Sequence, residues 1–242
     1  MEKSSSEYIQ IRILFPYKSA VNTLGFNGLL PVLTYLENSF LPKPLEVKFT
    51  GKSPSRLRKK QIQSYLDPQL LAILEPNGPT GTLINIQATH QHYCFIAFFQ
   101  DGISHQIVID IDLALVEQVT TAKLKAFFTD LLHKCPQTHY AQCCFTLYYS
   151  VFNGKHIEPS MVSRNNYLRF LVWLQYLSAE ELIIQGGRSA FESNSLLQTE
   201  PLHNGLLVQV GESPYDIFTE EGEALLVKAT FSLPPVQYPS KG

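Results

Sequence analysis

TLINIQATHQHYCFIAFFQDGISHQIVIDIDL, Thr82 to Leu113, is the stretch on which the fold turns. Three runs rich in β-branched and aromatic residues follow in close order: Thr82–Ala88, Tyr93–Gln100 and His105–Leu113. THQH and DGIS separate them, and Asp101-Gly102 between two such runs is a hairpin signal, because tight hairpin turns demand the positive φ that glycine adopts freely. The stretch predicts an antiparallel meander. Immediately downstream, TTAKLKAFFTDLLHKC places Leu124, Phe127, Phe128, Leu131 and Leu132 on one stripe at helical spacing. Thr120 or Thr121 is its N-cap, and Pro136 lies just beyond its end.

Upstream, Ile9–Phe15 alternates as a strand, and Leu29, Leu33, Leu36 and Phe40 recur at helical spacing after the glycines at 25 and 28. Leu45–Phe49 alternates again. SPSRLRKKQIQSYL then begins Ser-Pro-Ser, a cap with an early proline, and predicts a helix carrying its basic residues on an exposed face. Downstream, Gln142–Phe152 reads as a strand ending at Asn153-Gly154. The length of RNNYLRFLVWLQYL, Arg164–Leu177, favours a helix, although Val172, Trp173 and Tyr176 pull toward a strand. Gly186-Gly187 and the polar stretch Glu192–Thr199 lead to a closing strand and helix within His203–Pro235.

Strands and helices that alternate without long crossovers imply an α+β fold, an antiparallel or mixed sheet with helices packed on it. The 242 residues, 45% of them hydrophobic, suffice for a sizeable core. The expectation is one α+β domain spanning 1–242. The order strand, helix, strand near the start recurs around 106–152, which raises two related halves, 8–100 and 101–235.

The formal net charge of −2 gives no global field toward nucleic acid or an anionic membrane. No basic and apolar leader opens the chain, and no apolar run approaches the roughly 18 residues of a spanning helix. A soluble, cytoplasmic protein is expected. Cys94, Cys135, Cys143 and Cys144 lack paired C-x-x-C spacing and are expected as buried hydrophobes.

Enzyme signatures are missing where their chemistry would need them. No G-x-S-x-G places a serine on a strained turn. Cys143 and Cys144 sit in an aromatic strand, away from a helix N-terminus that would lower a thiol pKa. Pro76–Thr82 is glycine-rich but lacks the lysine and helix of a phosphate loop. His90 and His92 would share a strand face with His105 as a third zinc ligand, and Asp110 with Asp112 could hold Mg²⁺. Polar loop tips and a solvated strand face account for these more simply. No catalytic residue, cofactor, metal or small-molecule substrate is expected.

Two charge clusters remain. Lys52, Arg56, Arg58, Lys59 and Lys60 crowd nine positions, without the interleaved aromatics that stack on bases. A solvated face is the simpler account. A small nucleic-acid-binding adaptor using Lys52–Lys60 is the alternative. Glu212, Asp216, Glu220, Glu221 and Glu223 form the other cluster, with no basic residue before Lys228. Thr219 can cap a helix whose first turn holds three of these glutamates beside the positive end of its dipole. Glu212 and Asp216, with Tyr215 and Phe218 among them, then make an acidic and aromatic turn suited to a protein interface.

An Asn-Gly before a short apolar strand, Gly-x-x-Pro-Tyr-Asp, a Thr-Glu-Glu-Gly-Glu helix start and a closing Leu-Pro-Pro, all within residues 203–235, resemble the ending of immunity proteins from type VI secretion and polymorphic-toxin loci. The chain is similar to the immunity protein 52 family, TsiT-like proteins included. The resemblance implies an α+β antitoxin that neutralises a cognate effector, a nuclease of restriction-endonuclease fold, and it brings no catalytic residues. A nuclease groove is basic because it holds phosphates, so an opposing surface gains from carboxylates and aromatic anchors. Glu212, Tyr215, Asp216, Phe218, Glu220 and Glu221 are the expected partner-facing residues. Nucleic acid and membrane are not expected partners.

Overall fold

A computed structural model describes residues 8–15, 26–50, 57–77, 84–88, 94–100, 105–145 and 171–234. They form an α+β fold divided into two compact units, one up to Thr138 and one from His139. The division falls at residues 138–139, whereas the sequence raised one domain with two related halves meeting at residues 100–101.

Among the described residues the first unit carries six strands: β1 (Tyr8–Phe15), β2 (Pro44–Thr50), β3 (Leu57–Gln61), β4 (Ile84–Ala88), β5 (Cys94–Gln100) and β6 (His105–Asp112). Antiparallel pairings order them β3-β2-β4-β5-β6-β1. The predicted meander is β4-β5-β6. The pairing of β1 with β6 sets Ile9 opposite Ile111, Ile11 opposite Ile109 and Ile13 opposite Ile107. All six isoleucines are fully buried. On the other face Gln10 donates to Asp110 at 2.8 Å.

Among the described residues this unit has four helices: α1 (Phe26–Glu37), α2 (Pro68–Asn77), the single turn α3 (Leu113–Val116) and α4 (Thr121–Lys134). Thr120 caps α4 by accepting from the Lys123 N–H, and the five residues of the expected stripe are all buried. On α1, Leu29, Val32, Leu33 and Leu36 are buried likewise. Phe127 joins the two helices, with Tyr35 stacked at 5.5 Å and Phe40 tilted at 4.9 Å.

The basic helix expected from Ser53 onward is overturned, because Leu57–Gln61 is a strand on β2. Its five residues are exposed, so no apolar stripe exists to hold a helix there. The helix starts later, where Asp67 accepts from the Gln69 N–H at 2.8 Å and Pro68 takes the first helical position.

The second unit holds β7 (Tyr140–Phe145), β8 (Leu174–Leu177), β9 (Gln198–Leu202) and β10 (Gly205–Gln209), paired antiparallel in the order β7-β8-β10-β9. Every residue of β7, β8 and β10 is buried. Leu174–Leu177 is thus a strand where length favoured a helix. A segment buried on both faces loses its alternation, so periodicity cannot distinguish the two. The unit adds α5 (Ala179–Ile184), α6 (Arg188–Glu192), a 3-10 turn (Pro214–Phe218) and α7 (Glu220–Ser232). Residues 146–170 of the strand and helix expectations lie outside the described residues.

Candidate functional site

The acidic stretch after β10 builds a turn held by its own side chains. Ser213 caps the 3-10 turn by accepting from the Tyr215 N–H at 3.2 Å. One oxygen of Asp216 reaches back to accept from the amides of Glu212 at 2.7 Å and Ser213 at 3.0 Å, which completes a capping box. Gly211 has φ +74°, and a Cβ there would stand 2.5 Å from that same oxygen. Glycine is required twice over, by conformation and by the carboxylate. Thr219 then caps α7, accepting from the Gly222 N–H at 3.0 Å. Glu220, Glu221 and Glu223 occupy the first turn as the sequence implied.

The underside of this turn is core. Pro214 and Ile217 close over Trp173, Val210, Cys144 and Leu226, leaving a cavity of about 10 Å³. That space is about the size of one water molecule. Buried Phe145 supports both aromatic residues from below, Tyr215 tilted at 5.3 Å and Phe218 edge-on at 4.8 Å. Phe218 nevertheless keeps 54% of its surface exposed.

The six expected partner-facing residues therefore divide. Glu212, Phe218, Glu220 and Glu221 are exposed, whereas Tyr215 and Asp216 are half-buried. Asp216 is committed to the turn's own amides, and Tyr215 to Phe145. Gln198 of β9 donates to Glu212 at 3.0 Å, which steadies that carboxylate at the surface. Residues 171–234 carry nine acidic side chains against two basic ones, Arg188 and Lys228, and Glu212, Glu220 and Glu221 are exposed close to Phe218 in the chain.

A second cluster escaped the sequence reading. His139 sets Nε2 3.0 Å from a carboxylate oxygen of Glu181, which is fully buried, and Gln185 donates to the other oxygen at 2.8 Å. The far ring nitrogen, Nδ1, lies 3.2 Å from the Ser178 hydroxyl and 3.7 Å from Glu180. Serine, imidazole and carboxylate are in series, as in a nucleophilic relay. Ser178, however, is 5% exposed and serves as the N-cap of α5, accepting from the Glu181 N–H. The arrangement anchors α5, with the His139 ring against one oxygen of the buried Glu181 carboxyl and the Gln185 amide on the other. Ser-Ala-Glu-Glu is a capping-box pattern and was legible. Only the fold shows the glutamate turning to His139, while the Ser178 amide bonds the His139 carbonyl at 3.0 Å.

Among the described residues no three histidine, cysteine or acidic side chains converge as a metal site. His90 and His92 lie outside them. Asp110 accepts from Gln10 and is half-buried, its carboxyl raised by burial against the lowering effects of Gln10 and Arg12. Asp112 caps α3 through the Ala114 amide at 2.7 Å. Cys135, Cys143 and Cys144 are buried free thiols. Burial pushes Cys135 up to about 12 and Cys143 well above the ordinary range, the Cys144 thiol adding to the latter. Both are poor nucleophiles. No helix among the described residues is long and apolar enough to cross a membrane.

No family model matches this chain. The search of curated proteins likewise yields no match. Its fold is similar to that of a solved structure described as the Pseudomonas aeruginosa T6SS protein PA0821, with a TM-score of 0.63 at 12% identity, over 98% of this chain and 77% of that one.

Proposed function

We propose that this chain is a type VI secretion immunity protein that binds a cognate toxin and neutralises it. The toxin class implied by the C-terminal resemblance is a nuclease of restriction-endonuclease fold. The observation that carries the reading is the exposed face of Glu212, Phe218, Glu220 and Glu221, seated on a turn that the core and the capping box hold rigid. A pre-organised surface loses little entropy on binding, and an aromatic anchor ringed by carboxylates complements a basic groove. Structural similarity to a protein described as belonging to type VI secretion supports the setting. The reading assigns no catalytic residue and no cofactor. The protein acts in the cytoplasm, where a nuclease toxin would reach nucleic acid.

The test is titration of the chain with the purified product of the neighbouring toxin gene, catalytically disabled, in a calorimeter. Glu212→Lys/Glu220→Lys/Glu221→Lys is expected to weaken binding by at least about tenfold. Phe218→Ala is expected to weaken it by about 2 kcal/mol. Undiminished affinity in both variants, each with an unchanged thermal midpoint, would remove this face from the interface. Failure of the unaltered chain to bind or protect would remove the immunity reading itself.

A further inference from the structure

The basic segment read from the sequence as a helix face is instead an open strand edge. Leu57–Gln61 pairs with β2, and all five residues are exposed. Ile62 donates its N–H to the Leu45 carbonyl at 2.9 Å, which fixes the phase of this ladder. Alternate residues of an antiparallel pair turn their backbone groups to the neighbour. Arg58 and Lys60 therefore bond toward β2, while Leu57, Lys59 and Gln61 turn theirs outward. Gln69 caps the Gln61 carbonyl at 3.2 Å, so the open row runs from Leu57 to the Gln61 N–H.

Sheet edges are commonly protected by proline, by a bulge or by charge. β3 contains no proline and its register with β2 runs without a shift from Leu57 to Gln61. Among the described residues charge alone guards it. Arg58, Lys59 and Lys60 make no ion pair among the described residues. Leu57 adds an apolar side chain that is 54% exposed. A second copy of this edge would set basic side chains opposite basic ones, which destabilises a cross-strand pair. An extended segment with carboxylates would be attracted to the same cations.

The alternation of the strand also bears on the occupant. Arg58 and Lys60 project to one face of the sheet and Lys59 to the other. Cations that straddle an edge do not form a single stripe along a phosphate backbone. They do match the side chains of an added strand, which alternate in the same way. We propose that β3 is a docking edge for an extended acidic segment of a partner protein, which pairs with Leu57–Gln61 as a further strand. This site lies in the first unit and is independent of the acidic face assigned to toxin binding.

The probe is a fluorescein-labelled hexapeptide alternating Glu and Val, followed by anisotropy against the full chain. Two versions N-methylated at alternate residues, one in each phase, a Lys-Val peptide and an oligothymidine serve as comparisons. The Glu-Val peptide is expected to bind saturably, and one N-methylated phase to lose that binding while keeping every charge. Lys59→Glu and, separately, Arg58→Glu/Lys60→Glu are expected to weaken binding at least about tenfold. Their side chains lie on opposite faces, and an unchanged thermal midpoint certifies each fold. Three results overturn the proposal: no saturable binding of the Glu-Val peptide, equal binding of both N-methylated phases, or tighter binding of the oligothymidine.

Discussion

Replacing Asp216 by alanine removes an acceptor from two backbone amides, at 2.7 Å from Glu212 and 3.0 Å from Ser213. Hydrogen bonds to a charged group contribute about 1.5–3 kcal/mol when shielded, but Glu212 is exposed and its amide regains water. A loss of about 1–2 kcal/mol is expected, in the range of other cap deletions. Gly211→Ala carries two separable costs. The φ of +74° costs about 1 kcal/mol for a residue with a Cβ, and the new Cβ stands 2.5 Å from the Asp216 oxygen. The contact vanishes when Asp216 is alanine and the conformational strain does not. The double variant is therefore expected to lose about 1 kcal/mol less than the two single losses together. Urea unfolding followed by the fluorescence of Trp173 suits the measurement, since this one tryptophan of the chain lies beside the cavity under the turn. Additive losses, or an Asp216→Ala variant as stable as the parent, would refute the keystone role. Parental stability with lost toxin binding would return Asp216 to the interface.

Glu37 gives a pH prediction. Burial alone would raise its carboxyl, but hydrogen bonds from Lys43 and the Tyr65 amide, both at 2.7 Å, together with Ser64 hold it below its ordinary 4.5. A folded value below the unfolded one stabilises fully above about pH 4.5 and is lost as pH falls through the folded value. Glu37→Gln should lessen the difference in stability between pH 7 and about pH 3, measured by urea titration at each pH. Glu181→Leu leaves His139 and Gln185 facing an apolar side chain and should cost about 2–4 kcal/mol by Trp173 fluorescence, whereas Glu181→Gln, which keeps a carbonyl acceptor, should cost less. Equal losses in the two variants would contradict that account. Phe128→Ala, at a fully buried position of the α4 stripe, should cost about 3–5 kcal/mol in calorimetric unfolding.

Legibility along the chain followed how local each cause was. The α4 stripe and its Thr120 cap were readable because helical period and capping act within a few residues. β4-β5-β6 was readable because its strands are consecutive and the connection between β5 and β6 carries Asp-Gly. Thr219 and the three glutamates after it were readable for the same reason as Thr120. The six residues expected to face a partner were readable as a turn, but their division into exposed Glu212, Phe218, Glu220 and Glu221 and half-buried Tyr215 and Asp216 was not. That division depends on Phe145 and on the geometry at Gly211.

The sequence by itself determined the α+β class, the two caps, the buried stripe of α4 and the acidic, aromatic character of the C-terminal turn. These follow from spacing and side-chain chemistry over fewer than about ten residues. Tertiary structure decided the rest. Leu57–Gln61 became a strand because β2 offered it hydrogen bonds, and Leu174–Leu177 became one because β7 and β10 pair with its two edges. His139 met Glu181 across some forty positions for the same reason. Pairing energy between distant segments outweighs weak local propensity, and no window of sequence contains both partners.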